Sequence, residues 1–333
     1  MYDDMVKGLY VMSPDLFDAV YTPETRKHIQ SLIEIEDEVV DLTTMPADDQ
    51  VEVLLGGWGM QELTEEVLDK LPNLKVIFYA AGTMKGIVTD GVWKRGIRIT
   101  TANQANAQPV AEFALGQILI AMKNTYALAR QVKENQGYLI GPMRDDITGL
   151  YQTTVGITSL SAIGKQVIQL LKPFDVNIQV YDPYGTEEVA DQLGVSLVSL
   201  ETLFASSDVV TIHTPLLPDT EKMVNKDLLA SMKQNTTLIN TARGGLIDEE
   251  ALVAVLKDRT DLTAVLDVTN PEPPEKGSVM YYLDNIVLTP HIAGSAGAER
   301  KRLGDAMAGE IAQYLEKDQL SFEVTEDMFN KMA

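Results

Sequence analysis

Residues Thr153 to Tyr184 read TTVGITSLSAIGKQVIQLLKPFDVNIQVYDPY. Val155 and Ile157 lie in a short apolar run, which predicts a buried strand. Ser159 to Gly164 make a small-residue turn. Ile163, Val167, Ile168, Leu170 and Leu171 then recur at helical spacing. Ile178 to Tyr181 predict a second strand, ending at Asp182. Strand, turn, helix, strand and acid form the layout of a dinucleotide-binding unit. The turn and the helix start offer N–H groups to a pyrophosphate, and the acid accepts from ribose hydroxyls. Ser161, Ala162, Ile163 and Gly164 are the candidate phosphate-side residues, and Asp182 is the candidate ribose ligand. The acid lies 18 residues past Gly164, close to the expected offset.

The glycine fingerprint is incomplete. The three places of G-x-G-x-x-G fall on Ser159, Ser161 and Gly164, so only the helix-packing glycine is present. A serine at the first place must tolerate the turn, where left-handed backbone costs ~1–2 kcal/mol. At the second place a Cβ stands where phosphate should approach, or the hydroxyl bonds a phosphate oxygen. A unit of this layout that holds no nucleotide is the competing reading of the stretch.

The chain has 333 residues, which suggests two domains. With 49 acidic and 27 basic residues its net charge is −22. No basic stripe is present to neutralise phosphates in series, so nucleic acid is not an expected partner. Without cysteine there are no disulfides and no thiol catalysis. The opening MYDDMVKGLYVM is too acidic for a signal peptide, and nothing approaches a membrane span. The expected location is cytoplasmic.

Taken in order, strands are expected over Lys7–Met12, Val51–Leu55, Val76–Tyr79 and Ile97–Thr100. Helices are expected over Pro23–Ile35, carrying a non-functional His28, and from the Thr64 cap to Lys70. This alternation predicts a small α/β domain with a parallel sheet, whose ligands sit beyond the strand carboxyl ends. Backbone N–H groups at Ala81, Gly82 and Thr83 could hold a carboxylate there, or the segment is a plain tight turn. Ala107–Arg130 reads as one long helix, apolar almost all round and therefore buried on several sides. Gln136–Gly149 reads as a loop.

Beyond Asp182, strands are expected at Val209–Ile212, Thr237–Asn240, Thr263–Leu266 and Ile286–Leu288. Arg243, Asp267 and His291 each fall just past one of these strands, on the ligand side. Glu272 follows in a proline-rich loop, and Ala296–Leu315 is a final helix before an acidic tail.

These pieces resemble the D-isomer-specific 2-hydroxyacid dehydrogenase family. The matching segments are Asn240-Thr241-Ala242-Arg243-Gly244-Gly245, Leu266-Asp267-Val268 with Glu272 behind it, and Leu288-Thr289-Pro290-His291. The segment from His213-Thr214-Pro215 to Thr220 and Val110-Ala111-Glu112 also match. The resemblance implies an α/β fold of two Rossmann/flavodoxin-like parallel-sheet domains with a cleft between them. It implies a substrate domain over 1–105 plus 297–333, an NAD-binding domain over 106–296, and a homodimer through the 107–130 helix. It makes Arg243 the ligand of the substrate carboxylate and carbonyl, His291 the acid/base and Glu272 its partner. Asp267 lies near the nicotinamide. His213, Thr214, Pro215, Thr220, Thr241 and Ala242 belong to the cofactor side, and Ala81 and Gly82 to the substrate side. No metal is implied. Ala162 stands where the family commonly has a basic residue.

The chemistry of the residues agrees. One planar guanidinium holds a carboxylate and an adjacent ketone in a way lysine cannot. A histidine supplies the proton as hydride reaches carbon, and a carboxylate orients its ring. The expected function is hydride transfer between NAD(H) and a small 2-hydroxy/2-oxo acid pair. The alternative is a catalytically idle NAD-sensing interaction protein on the same fold. No phosphate-reading basic cluster stands in the first domain, which disfavours a phosphorylated acid. Lys85, just after the Ala81–Gly82 turn, is either a solvated surface lysine or a residue that favours substrates with a second anionic or strongly polar group.

Overall fold

Short apolar runs bounded by glycine, proline or acid become parallel strands throughout the computed structural model, which describes residues 5–138 and 147–332. Met1–Asp4 of the opening segment and residues 139–146 of the expected 136–149 loop lie outside the described residues. The chain divides into two units, Met1–Ala107 with Ser295–Ala333, and Gln108–Gly294.

The first unit holds β1 (Lys7–Val11), β2 (Glu34–Val39), β3 (Val51–Gly56), β4 (Val76–Tyr79) and β5 (Arg98–Thr101). They pair in the order β2-β1-β3-β4-β5, all parallel. This is the flavodoxin-like order. Alternation along each strand divides the core between the two faces. Tyr10, Val53, Leu55 and Phe78 pack on one face with Leu303, Met307 and Ile311 of the helix Lys301–Lys317. Val11, Leu54, Ile77 and Tyr79 pack on the other with Leu68 and Val92.

The second unit holds β6 (Thr153–Thr158), β7 (Val176–Tyr181), β8 (Ser196–Leu197), β9 (Val209–Ile212), β10 (Thr237–Asn240), β11 (Thr263–Leu266) and β12 (Ile286–Leu288). Their order is β12-β11-β10-β9-β6-β7-β8, again all parallel. Strand order reverses at β6, between β9 and β7. Such a switch point opens a ligand crevice at the carboxyl ends. Both sheets are the α/β class the sequence implies.

Three elements differ from expectation. The helix expected over Pro23–Ile35 runs only Pro23–Gln30, and the chain then enters β2. Ile35 is the buried residue of that strand, flanked by exposed Glu34 and Glu36, so a half-buried acidic edge strand hid behind a helical reading. The long helix over Ala107–Arg130 is two, Asn103–Ala121 and Thr125–Asn135. The break is Asn124, with φ 48°, and asparagine is among the few residues that accept left-handed backbone. The acidic tail is ordered. It pairs Thr100 with Glu323 and ends in a helix, Glu326–Lys331.

Glu310 explains the docking of that tail. Its side chain is 3 % exposed. It accepts from Thr100 Oγ1 at 2.7 Å, Ser321 N at 3.1 Å and Phe322 N at 3.2 Å. Among the described residues, no helix is long and apolar enough to cross a membrane. Hydrogen bonds to a charged acceptor contribute about 1.5–3 kcal/mol each, and removing the acceptor strands the buried donors. Glu310→Ala is therefore expected to lower unfolding free energy by about 3 kcal/mol in denaturant titration. A loss below about 0.5 kcal/mol, the range of ordinary surface substitutions, would contradict this anchoring.

Candidate active site

The phosphate turn of the second unit is built without two of its glycines. Ser159 takes the left-handed backbone, with φ 74°. Its N–H donates to the Tyr181 carbonyl at 2.7 Å. Gly164 cannot be replaced, since a Cβ there would sit 2.1 Å from the Ser159 carbonyl oxygen. Ser161 neither blocks the turn nor points a free hydroxyl at a ligand. Its Oγ accepts the Gly164 N–H at 3.3 Å as the N-cap of the helix Ala162–Leu171, and donates to the His213 carbonyl at 3.0 Å. Both sequence-based readings of that serine are replaced by a structural one. Among the described hydrogen bonds, the N–H groups of Ser161, Ala162 and Ile163 have no intramolecular acceptor. Three free amides at a helix start suit a pyrophosphate.

Asp182 sits at the end of β7, as expected, and already holds the turn. Oδ2 accepts from Leu160 N at 2.6 Å and from Ser159 Oγ at 3.4 Å, while Oδ1 accepts from Tyr184 N at 2.8 Å. A carboxylate offers about four acceptor sites, so one is left for a ribose hydroxyl. These residues fit a dinucleotide.

Behind the turn, the end of β9 carries His213, 3 % exposed. Its Nε2 lies 3.0 Å from Thr211 Oγ1, and its N–H donates to Thr158 Oγ1 at 3.2 Å. Burial drives its pKa down to about 3, so it stays neutral and cannot act as an acid near neutral pH. Thr214 Oγ1 donates to Thr158 Oγ1 at 2.9 Å. Thr220 Oγ1 donates to the Pro215 carbonyl at 2.7 Å and shapes the proline-rich loop. His213 Nδ1 and Thr241 Oγ1 are buried without hydrogen-bond partners, at the ends of the neighbouring strands β9 and β10.

Past β10, the Ala242–Arg243 turn is gripped by Asn240. Its Oδ1 accepts from Ala242 N at 3.0 Å, and its Nδ2 donates to the Arg243 carbonyl at 2.9 Å. The sequence reading passed over this asparagine, although a strand-end Asn ahead of a turn is the signal for such a clamp. Arg243 is partly buried. Desolvation pulls its pKa below the ordinary arginine value, and the negative charge of Glu272 opposes that.

Asp267 ends β11 and is 2 % exposed. Its carboxylate accepts from Thr289 Oγ1 at 2.6 Å, Ile292 N at 2.9 Å and Ala293 N at 2.8 Å, and its carbonyl accepts from His291 N at 3.0 Å. The structure thus places Asp267 as the anchor of the turn that carries His291. That turn holds His291 at φ 52°. Its Nδ1 meets Glu272 Oε1 at 2.5 Å, so the histidine and the loop carboxylate are brought together.

In the first unit, the Ala81 N–H donates to the Tyr79 carbonyl at 2.8 Å and is not free for a ligand. Among the described hydrogen bonds, the Gly82 and Thr83 N–H groups have no backbone acceptor. Lys85 Nζ lies 4.4 Å from the centre of the Phe329 ring, which gives that ammonium an intramolecular partner. Among the described residues, no cluster of three or more His, Asp or Glu side chains could hold a metal.

Two outcomes follow from the cofactor side. His213 binds a proton in the unfolded chain at about 6.5 but in the fold only at about 3. Its contribution to stability is therefore complete above pH 6.5 and is lost as pH falls towards 3. The loss is about 1.4 kcal/mol per pH unit in that window. His213→Gln should flatten the acid limb of a stability–pH curve, and an unchanged slope would refute the assignment. Ser161→Gly removes an N-cap at a position where glycine is tolerated, so it should cost at most about 1 kcal/mol of stability while loosening NADH binding. Tighter NADH binding in a fluorescence titration would revive the steric account.

Residues 115–293 match the family model described as "D-isomer specific 2-hydroxyacid dehydrogenase, NAD binding domain". The chain is 36 % identical over 255 residues to D-3-phosphoglycerate dehydrogenase of Methanocaldococcus jannaschii, covering 76 % of this chain and 48 % of that protein. It is 29 % identical over 293 residues to glyoxylate reductase of Korarchaeum cryptofilum, covering 88 % and 83 %. It spans about half the length of the phosphoglycerate dehydrogenases it matches. The solved NAD-complexed D-isomer-specific 2-hydroxyacid dehydrogenase of Lactobacillus delbrueckii ssp. bulgaricus shares the fold, with TM-score 0.79, 20 % identity and coverage of 96 % and 99 %. By its matched NAD-binding domain, the chain belongs to the D-isomer-specific 2-hydroxyacid dehydrogenase family.

Proposed function

We propose that the chain is an NAD-dependent oxidoreductase that moves a hydride between NAD(H) and a small 2-hydroxy/2-oxo acid pair. The observation that carries this reading is the 2.5 Å contact of His291 Nδ1 with Glu272 Oε1. With Nδ1 bonded to a carboxylate, Nε2 is the nitrogen that exchanges a proton with substrate oxygen. Bound NAD(H) supplies or accepts the hydride. His291 gives the proton to the new hydroxyl in reduction and takes it in oxidation. Arg243 holds the substrate carboxylate and carbonyl oxygen in one plane and polarises the carbonyl. Glu272 orients the imidazole. The free amides of Gly82 and Thr83 are the proposed carboxylate contacts of the first unit, with Ala81 supporting the turn. Asp182 favours NAD(H), because a fixed carboxylate repels a 2′-phosphate.

The substrate we propose is not phosphorylated, although several relatives are phosphoglycerate dehydrogenases. Four basic residues of the first unit are engaged with acids, Lys7 with Asp48, Arg26 with Asp18, Arg95 with Asp69 and Arg98 with Glu323. A homodimer through the 107–130 helices and a cytoplasmic location complete the reading. An idle sensor has no use for a paired histidine and carboxylate beside a half-buried arginine.

The test is NADH oxidation with glyoxylate, hydroxypyruvate, pyruvate, a branched 2-oxo acid and 3-phosphohydroxypyruvate. Turnover of an unphosphorylated acid is expected. No turnover of any would refute the enzyme, and turnover of the phosphorylated acid alone would refute the substrate class. His291→Ala should lower kcat by at least about a hundredfold while leaving the Kd for NADH within about twofold. Glu272→Gln keeps the shape of the ring's partner but removes its charge, so kcat should fall while the Kd for NADH stays within about twofold. An unchanged kcat would show that the carboxylate does not act on the histidine.

A further inference from the structure

Glu249 opens the helix Glu249–Asp258, where a first-turn acid ordinarily only complements the helix dipole. Here the side chain reaches another loop. Its Oε1 accepts the backbone N–H of Asn270 at 2.7 Å. The carboxylate is partly buried, and desolvation raises its pKa while the Asn270 hydrogen bond opposes the shift. A desolvated carboxylate is unfavourable unless its acceptor sites are used.

The loop it grips offers few other handles. In Asn270-Pro271-Glu272-Pro273-Pro274 the prolines have no N–H, so only Asn270 and Glu272 can donate from the backbone. On its other side, the Thr269–Asn270 peptide lies against Gly244, where a Cβ would be 2.1 Å from the Thr269 carbonyl carbon and 2.6 Å from Asn270 N. The peptide is therefore held between the turn that follows Arg243 and the carboxylate of Glu249. Two residues further on, Glu272 meets His291.

We propose that Glu249 is a positioning residue for the reaction: by holding the Asn270 N–H it sets where Glu272 meets His291. The kinetic consequence rests on the dehydrogenase reading, whereas the structural consequence does not. Glu249 touches neither ring nor substrate. It acts through the Asn270 peptide, in which a small displacement is passed to a hydrogen bond of 2.5 Å. Misplacement of about 1 Å at such a contact lowers rate by up to about a hundredfold.

The test compares Glu249→Met, which keeps length but has no acceptor, with Glu249→Gln, which keeps the acceptor but not the charge. Both are also made in a Glu272→Gln background. The chain has three histidines, so ring-nitrogen NMR assigns His291 readily and reads its Nδ1 bond without any turnover. Glu249→Met should change the His291 ring-nitrogen pattern towards that of Glu272→Gln, and Glu249→Gln should leave it as in the wild type. In NADH-dependent reduction, Glu249→Met should lower kcat between about tenfold and a hundredfold, with KM and the Kd for NADH within about twofold. In the Glu272→Gln background it should add nothing. If Glu249→Met fails to fold, Glu249→Ser, too short to reach Asn270, is judged by the same criteria. An unchanged His291 spectrum overturns the proposal, as do equal losses in the Met and Gln variants or losses that multiply with Glu272→Gln. A wild type inactive on every 2-oxo acid would instead refute the dehydrogenase reading and leave the spectroscopic comparison valid.

Discussion

Parallel pairing in register is the constraint on which the second unit depends. Thr158 pairs with Tyr181 and Ile212, Ile212 with Asn240, Asn240 with Leu266, and Leu266 with Leu288. All these strands therefore stop along one edge. The next residues, Ser159, Asp182, His213, Thr241, Asp267 and Thr289, form a row there without any long-range design of loops. A parallel sheet places every strand's carboxyl end on the same side, because each return passes through a crossover on its face. Residues scattered over more than a hundred positions of sequence become neighbours for this reason.

Such a row brings many unpaired N–H groups together, and carboxylates satisfy them. Asp182 holds the phosphate turn, Asp267 holds the histidine turn and Glu249 holds the proline-rich loop. Each is an acid accepting backbone donors from a segment distant in sequence. This gives a chain of net charge −22 a use for acids other than solvation. The arrangement also explains why the two acids the sequence had marked for ligands differ in the structure. Each carboxylate carries three donors, but Asp182 is only half-buried and open to a further donor, whereas Asp267 is almost fully buried.

What could be read from sequence were the elements whose signal is local. Strands β4, β9, β10, β11 and β12 have the bounds their apolar runs suggest, and Thr64 caps its helix as its position indicates. Arg243 and His291 were visible because each stands just beyond such a run, and Glu272 through the family resemblance of its loop. Local signals failed where a distant contact decides. Glu34–Val39 is helix-like in composition, but strand pairing with β1 fixes it as an edge strand. Lys123–Asn124 does not announce a helix break, since the left-handed residue is an asparagine and not a glycine. The acidic tail looks solvated until Glu310 meets Ser321 and Phe322. Glu249 resembles any first-turn acid, and only the fold reveals Asn270 beside it.

The phosphate turn shows how a motif can lose residues and keep its shape. Left-handed backbone at Ser159 costs about 1–2 kcal/mol relative to glycine. Against this, the Ser161 cap contributes about 1 kcal/mol. The bond from Leu160 N to a charged acceptor contributes about 1.5–3 kcal/mol. The terms offset one another to within a kcal/mol or two, so the turn needs no glycine at its first two places so long as Asp182 and the His213 carbonyl hold it. The consequence is a coupling absent from a three-glycine turn. There, backbone freedom alone permits the conformation, and the acid at the end of β7 is free to read only the ribose. Here the carboxylate that fixes the amides is also the one proposed to read the sugar. On that proposal, selectivity between cofactors and order in the phosphate turn rest on one side chain, and a change made for the one disturbs the other.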